Sequence, residues 1–440
     1  MHLSYLLPLL CGLLLTTSPS AAAVDAVQAP HVPLAAAPGA AGSITLADAI
    51  AKALAQSPRL QAFQKGTRAA RGENDQAGAW PNPEIEAGVE NFVGSGAYGA
   101  FTSAEINYGI SQEIPLTGKL SARQAIASAA LDTAALDEAA ARLDVIRDTT
   151  IAFMSVVAAE ESVDLATEQK ELAADVLRSV NRRVDAAAAP LIQRSRSEVE
   201  NATAALALDK AHRERDVARR ALASVIGDEA FAGPTDREAF YAVTKPDPLP
   251  VPAPTDRLID TLRQSSALAQ ARARIDLEQA NALPDPRVSI GVREFQASGD
   301  RAVLVSLGLP IPLLNTNSGT IEKVRQEALR TELDHRQATL DRAADLARAH
   351  ARLMRSYVEA STLKASILPA ATQAFRLARD GYAAGRFPYL EVLDAQRSLF
   401  LARQQKIDAL REFHTAQAEV TRLVAQAPSQ PSVSGDHYAE

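Results

Sequence analysis

Two widely separated stretches of alternating residues, each able to fold back on itself as a hairpin, constrain this chain more than any other feature in it. In the first, Ile85, Ala87, Val89 and Val93 share one parity while Glu84, Glu86, Gly88 and Glu90 take the other. That is the period of two shown by a strand whose faces meet different surroundings. The return arm sets Ala104, Ile106, Tyr108, Ile110 and Ile114 against Ser103, Glu105, Asn107, Gly109, Ser111 and Glu113, with GSGAYGA at 94–100 as the connection. WPNPEI at 80–85 reappears as LPDPRV at 283–288, and EIPL at 113–116 as PIPL at 310–313, so the chain is an internal duplication. Between the second pair of landmarks Val288, Ile290 and Val292 alternate with Ser289, Gly291 and Arg293, and Val303, Val305, Leu307, Leu309 and Ile311 alternate with mostly small residues.

Four strands of roughly ten residues result, the length of a tilted bilayer crossing. Four strands cannot close a barrel, and lipid offers nothing to the unpaired backbone of an open edge. A membrane location therefore requires several chains to share one barrel, and three copies would give twelve strands. Val89, Ile106, Ile110, Val292 and Val305 would then face lipid. Glu84, Glu86, Glu90, Glu105, Glu113, Arg287 and Arg293 would line an acidic, cation-favouring lumen, with Trp80 anchored near the inner interface. On the strands alone, a small soluble sheet packed on helices remains the alternative.

The ends favour export. An apolar run from Leu3 to Thr17 followed by SPSAAA reads as a signal peptide over 1–23. No later stretch reaches 18 apolar residues, so no transmembrane helix is expected. Cys11 lacks a lipoprotein cleavage context, and the processed chain would hold no disulfide and no thiolate metal site. Such a protein is periplasmic, secreted or an outer-membrane barrel. A net charge of −7 argues against nucleic-acid binding, and alanine-rich, charge-rich composition with 5% aromatics points to long helices packed through small side chains. Residues 24–43 and 427–440 read as disordered segments.

The first repeat spans 44–232: a helix from Thr45 to about Gly78, a hairpin at 83–114, a long helix at 118–187 and a return helix at 191–226. Thr45 and Asp48 have capping-box spacing, and Ile44 can staple against Ala49. In the long helix Leu136, Ala139, Leu143, Ile146, Thr150, Phe153 and Val157 form a coiled-coil seam. At 1.5 Å per residue that helix would run about 105 Å, and it must project away from the membrane. A proline-rich connector at 233–255 leads to the second repeat at 256–426: a helix, a hairpin at 286–313, a long helix at 317–384 and a return helix at 389–426. Pro369 should kink the second long helix. The two shorter helices of the first repeat together match its long one, which suits a tube of stacked short helices beside long ones.

ITLADAIAKALAQSPRL at 44–60, WPNPEI, SQEIPLTGK at 111–119 and YAAGRFPYLEVLDAQRSLFLAR at 382–403 resemble the TolC-like outer-membrane efflux channels, the outer membrane factor family, over about 44–426. The PNPE and EIPLTGK forms look most like its heavy-metal efflux branch. The resemblance implies a mainly α fold with membrane β: a homotrimeric twelve-stranded barrel, four strands per chain, continuous with a long α-helical periplasmic barrel. It also implies the outer membrane of a Gram-negative bacterium as the location, with lipid around the barrel. The function implied is the passive exit duct of a tripartite pump. Its partners would be a periplasmic adaptor (membrane fusion protein) and an inner-membrane proton-driven transporter of the resistance-nodulation-division type. Divalent heavy-metal cations are the cargo of that branch, with multidrug or small-organic efflux as the alternative. Glu391 and Asp394 occupy the place of the family's constriction acids, and a spacing of three puts them on one helix face. Three copies would form a ring of carboxylates that concentrates cations and, by mutual repulsion, raises some of their pKa values. The plainer reading is a solvated face with Asp394 paired to Arg397. The first repeat departs from the pattern: AAAAPLIQRSRSEVE at 186–200 lacks both the glycine and the acids.

No enzyme is expected, since the chain has no serine elbow, P-loop or dinucleotide fingerprint. His212, His335, His350 and His414 are scattered along helices without ligand spacing, so neither a metal site nor a cofactor is expected. A periplasmic coiled-coil adaptor or scaffold, or a secreted filament protein, would explain the helices but not four strands in symmetric pairs.

Overall fold

The computed structural model describes residues 43–228, 233–248 and 257–426. The signal peptide, all but the last residue of 24–43, part of the 233–255 connector and the 427–440 segment lie outside the described residues. In chain order the elements are α1 (Leu46–Gln56), α2 (Pro58–Ala77), β1 (Glu84–Glu90), β2 (Glu105–Glu113), α3 (Lys119–Asp185), α4 (Leu191–Ile226), the short α5 (Glu238–Tyr241), α6 (Ile259–Asn281), β3 (Arg287–Phe295), β4 (Arg301–Gly308), α7 (Ser318–Thr362), α8 (Leu368–Ala383) and α9 (Tyr389–Leu423). Among the described residues no helix is long and apolar enough to cross a membrane.

Thr45 caps α1 reciprocally: the Asp48 N–H donates to its hydroxyl at 3.2 Å while its own N–H donates to the Asp48 carboxylate at 3.1 Å. The single helix expected from Thr45 to Gly78 is in fact two. Ser57 leaves the helical region with ψ 115 and caps α2, whose first residue is Pro58. The proline ring disfavours a helical conformation at the residue before it, which explains the break. The corresponding helix of the second repeat, α6, contains no proline and runs unbroken.

α3 is one unbroken helix of 67 residues, about 100 Å long. Its most deeply buried row is Ala141, Val145, Thr149, Phe153, Val156, Glu160 and Val163. Of the expected seam only Phe153 and Val157 are fully buried, while Leu136, Ala139, Leu143, Ile146 and Thr150 are half-buried. The row is displaced because α3 packs against α1, α2, α4, α6 and α9 rather than against one partner helix. The main core gathers where these helices meet. Phe153, Met154, Leu222, Ile226 and Phe240 are almost wholly buried there, beside Leu410 of α9, and each large side chain contributes about 1.5–3 kcal/mol.

Polar ties fix the same level. Arg422 of α9 donates to Asp144 of α3 at 2.6 Å and to Asp260 of α6 at 3.0 Å, and Arg59 of α2 also reaches Asp144 at 3.2 Å. Burial pushes the Asp260 carboxyl up, but the Arg422 hydrogen bond and the charges of Arg422, Arg342 and Arg263 outweigh it and hold the group below its ordinary range. The connector is pinned too. Buried Glu160 accepts from Thr235 at 2.6 Å and Arg219 at 2.7 Å, and His414 Nε2 lies 2.9 Å from the Phe240 carbonyl. Burial lowers the His414 pKa, which keeps that ring neutral.

In the second repeat a π-turn at Leu363–Ile367 precedes Pro369, where the Leu368 N–H reaches back to the Leu363 carbonyl. The wider turn lets the ring of a residue without an N–H enter the helix.

Candidate channel lining and constriction

The four strands form one antiparallel sheet in the order β1-β2-β3-β4. They span 7, 9, 9 and 8 residues, shorter than the ten expected. β1 ends at Glu90 because Asn91 turns into the left-handed region with φ 56, which leaves Val93 in the connecting loop. Register places Ile85, Ile110, Ile290 and Val305 in one row, Ala87, Tyr108, Val292 and Val303 in the next, and Val89 beside Ile106. The five residues expected to face lipid therefore share a face, and Ile85 and Val305 on it are 84% and 73% exposed in the single chain. One polar pair interrupts this face near the β3–β4 turn, where Arg301 lies 3.4 Å from Glu294.

The opposite face carries all seven residues expected in the lumen. Arg287 pairs with Glu84 at 2.6 Å and Glu113 at 3.7 Å, while Arg293 pairs with Glu105 at 2.7 Å and Glu90 at 3.6 Å. Asn107 joins the second cluster, accepting from Arg293 at 2.8 Å and donating to Glu90 at 2.9 Å. Glu86 has no side-chain partner among the described residues, and five carboxylates against two guanidinium groups leave the face negative.

Below the sheet lies a joint that sequence reasoning missed. Lys119 Nζ, at the start of α3, sits 2.8 Å from Asp285 and donates to the Leu283 carbonyl at 2.7 Å, with both charged side chains only 12% exposed. The motifs on either side are visible as repeats, but nothing local in the sequence ties a lysine to an aspartate so far along the chain. Trp80 stands 58% exposed in the segment between α2 and β1.

At the other end of the helices α8 stops at Ala383, Gly385 turns with φ 70, and Pro388 caps α9. Glu391 lies in the first turn of α9, where free N–H groups favour a carboxylate. Both Glu391 and Asp394 are exposed, and neither carboxylate has a hydrogen bond or ion pair among the described residues. The plainer alternative, an Asp394–Arg397 ion pair, is not formed: Arg397 donates instead to buried Glu200 of α4 at 2.8 Å, and Asp394 acts on it only through its charge. At the same tip the Tyr382 and Tyr389 rings meet at a tilt, their centroids 5.7 Å apart, with the Arg183 guanidinium 4.7 Å from the Tyr382 ring. Burial pushes the Tyr389 hydroxyl up to about 12, the Glu200 charge adding to it. Counting from the two tip prolines, Pro190 and Pro388, the first repeat sets Gln193 where the second has Glu391, and Arg196 where it has Asp394.

Three of the four helical histidines make hydrogen bonds: His335 meets Gln264 at 3.0 Å, His350 the Asp247 carbonyl at 3.0 Å and His414 the Phe240 carbonyl. No group of metal-ligating side chains occurs among the described residues.

The outer membrane efflux protein family model matches residues 49–228 and 261–426. The chain is 30% identical over 394 residues to the cobalt-zinc-cadmium resistance protein CzcC of Cupriavidus metallidurans, covering 88% of this chain and 91% of that one. It is 26% identical over 297 residues to the nickel-cobalt-cadmium resistance protein NccC of Alcaligenes xylosoxydans xylosoxydans, covering 65% and 66%. Among solved structures it is similar to CusC, with TM-score 0.74 at 17% identity over 87% of this chain and 92% of that one. The outer membrane protein VceC of Vibrio cholerae gives TM-score 0.73 at 17% identity over 87% and 96%. With both repeats matched and a relative of this likeness along nearly its whole length, the chain belongs to the outer membrane efflux protein family.

Proposed function

We propose that this outer-membrane protein is the exit duct of a tripartite pump for divalent heavy-metal cations. It acts as a homotrimer with a periplasmic adaptor and a proton-driven inner-membrane transporter of the resistance-nodulation-division type. The likeness along nearly the whole chain to a protein named for cobalt, zinc and cadmium resistance carries the choice of cargo. The trimer is supported by what one chain leaves bare: the outer edges of β1 and β4, and the apolar face of the sheet. Ile192, Val199 and Leu206 add an exposed heptad stripe on α4, and Leu329, Leu333 and Leu340 are exposed on α7. The test is deletion of the gene and growth of the deletion strain on cobalt, zinc and cadmium salts and on hydrophobic dyes. Loss of metal tolerance alone, restored by this chain, is the expected result; loss of dye tolerance alone would overturn the metal assignment. Native mass measurement in detergent should give three chains.

The acidic sheet face and the unpaired acids Glu391 and Asp394 support a cation-selective duct whose narrowest ring lies at the tip. Charges in a narrow, partly dehydrated aperture act on ions far more strongly than the same charges on an open surface. The double variant Glu391→Ala, Asp394→Ala should therefore raise single-channel conductance and weaken block by multivalent cations. Glu171 on α3, exposed and without an ion pair among the described residues, serves as control, where alanine should change little. Unaltered conductance and block in the double variant would mean that these acids are an ordinary solvated face.

A further inference from the structure

The charges on the polar face of the sheet are not spread evenly, and one of them has an unusual surrounding. We infer that Arg293 keeps the far end of the duct from holding its cargo: its guanidinium fills the oxygen cage that Glu90, Glu105 and Asn107 would otherwise offer to a divalent cation. This rests on the cation duct proposed above and names the residue that sets how readily an ion leaves it.

The position follows from the topology. All four strands join helices at one end of the sheet, and the β1–β2 and β3–β4 turns lie at the other. Cargo arriving through the helices therefore meets the turn end last. Of the five acids on the polar face, only Glu90 and Glu105 stand directly opposite each other on paired strands. Glu84 faces Ser111, Glu86 faces Gly109, and Glu113 faces Arg287. Opposed side chains on antiparallel strands have Cβ atoms about 4.5–5.5 Å apart, so like charges there repel and a cation between them is held by both.

Arg293 takes that place. It donates to Glu105 at 2.7 Å and through Nε to the Asn107 side-chain oxygen at 2.8 Å, and its other terminal nitrogen lies 3.6 Å from Glu90. The remaining oxygens are turned away and occupied: Asn107 donates to Glu90 at 2.9 Å, and Asn91 donates to Glu105 at 3.2 Å. Three oxygens from three residues on two strands thus converge on one guanidinium. Carboxylate and amide oxygens are what hard divalent cations bind, and affinity rises with the number of charged ligands. Conduction requires the opposite, binding loose enough for the ion to leave. Two carboxylates alone would carry two negative charges; with Arg293 the cluster keeps one, which attracts a cation without retaining it. The guanidinium stays protonated and is tethered to the strand, so a passing ion would have to displace a competitor that never diffuses away. Arg293 and Glu105 are also well covered, their side chains 28% and 21% exposed. The second arginine of this face has no such cage: Glu84 and Glu113 around Arg287 are 60% and 44% exposed and do not face each other.

The test is block of reconstituted channels by Cd²⁺ added from the turn end, in the Glu391→Ala, Asp394→Ala background so that the tip acids do not contribute. Arg293→Gln should lower the blocking concentration roughly tenfold or more, because the oxygen set gains a full negative charge. Adding Glu90→Gln should restore the background value, and Arg293→Lys should stay near it, since each leaves the cluster with one negative charge. Arg287→Gln should shift block by about twofold or less, its acids being apart. Unchanged block in Arg293→Gln, or enhanced block that survives Glu90→Gln, would overturn the proposal. Where Arg293→Gln assembles poorly through repulsion of the facing carboxylates, Cd²⁺ present during refolding should raise its trimer yield and leave that of the background protein as it was. A yield indifferent to the metal would show that Arg293 only relieves strand repulsion. Anion preference of the unaltered channel in reversal-potential measurements would instead sink the cation duct itself.

Discussion

The two repeats have the same order of elements and are built to different tolerances. The first has a continuous α3 whose buried residues run from Ala122 to Val180 on several sides of the helix. The second has α7, a π-turn and then α8, and its buried residues are few: Val324, Ala328, Ala349, Leu353, Ser356 and Ala360 on α7, Leu363 in the turn and Ala378 on α8. Position accounts for the difference. α3 lies between helices of both repeats, packing on α6 and α9 of the second as well as on its own partners, while α7 and α8 pack chiefly on α6 and α9. The two repeats thus differ in whether a long helix finds its neighbours on several sides within the chain or leaves part of its surface bare.

The largest effect should come from removing a side chain at the centre of that contrast. Phe153→Ala should cost about 3–5 kcal/mol, because the ring is wholly buried among helices that cannot collapse onto the space. Leu333→Ala on α7 removes a side chain that is 61% exposed in one chain, so it should leave the protomer fold alone and weaken association. Thermal melting in detergent beside trimer yield separates the two. If Leu333→Ala melts the protomer as strongly as Phe153→Ala does, the contrast between inner and outer long helices is wrong.

A second contrast lies below the sheet. The joint inside the chain is locked by Lys119 and Asp285, whereas the equivalent of Asp285 in the first repeat is Asn82, which bears no charge. Removing one member of a buried pair leaves the other charge without compensation, so Asp285→Ala should cost about 3 kcal/mol. Asn82→Ala should cost about 0.5 kcal/mol or less, as surface changes usually do. Equal costs in melting experiments would show that the ion pair contributes nothing beyond packing.

How much of the molecule is legible in its sequence depends on how local each cause is. The sheet faces can be read from alternation because apolar and charged parities are each set residue by residue, and the rows Ile85–Ile110–Ile290–Val305 and Glu84–Arg287 assemble on opposite sides. The break at Ser57 also has a local signal, Pro58, which the expectation of one continuous helix ignored. The buried row of α3 has none, since which side of that helix is covered depends on α6 and α9, far along the chain. The same holds at the tip. Arg397 lies three residues from Asp394, yet its partner is Glu200 on another helix, and periodicity says nothing about such a choice.

The smallest effect concerns the two tips. Both long helices end in the same turn: the Ala188 N–H reaches the Arg183 carbonyl at 2.8 Å in the first repeat, and the Arg386 N–H reaches the Gly381 carbonyl at 2.8 Å in the second. That closure needs one residue in the left-handed region, Ala187 with φ 53 and Gly385 with φ 70. The first repeat thus holds an alanine where its Cβ crowds a carbonyl at a cost of roughly 1–2 kcal/mol, offset in part because glycine would lose more freedom on folding. Ala187→Gly should therefore stabilise the protein by about 0.5–1 kcal/mol, and Gly385→Ala should destabilise it by a similar amount. Their effects on the channel should differ. Gly385 sets the entry of α9 and with it the aim of Glu391 and Asp394, so Gly385→Ala should also alter cation block. Ala187 leads only to Gln193 and Arg196, so Ala187→Gly should change melting temperature and leave block as it was. A change in block from Ala187→Gly equal to that from Gly385→Ala would mean that both tips shape the aperture alike, and that the unlike residues at 193, 196, 391 and 394 do not divide the work between the repeats.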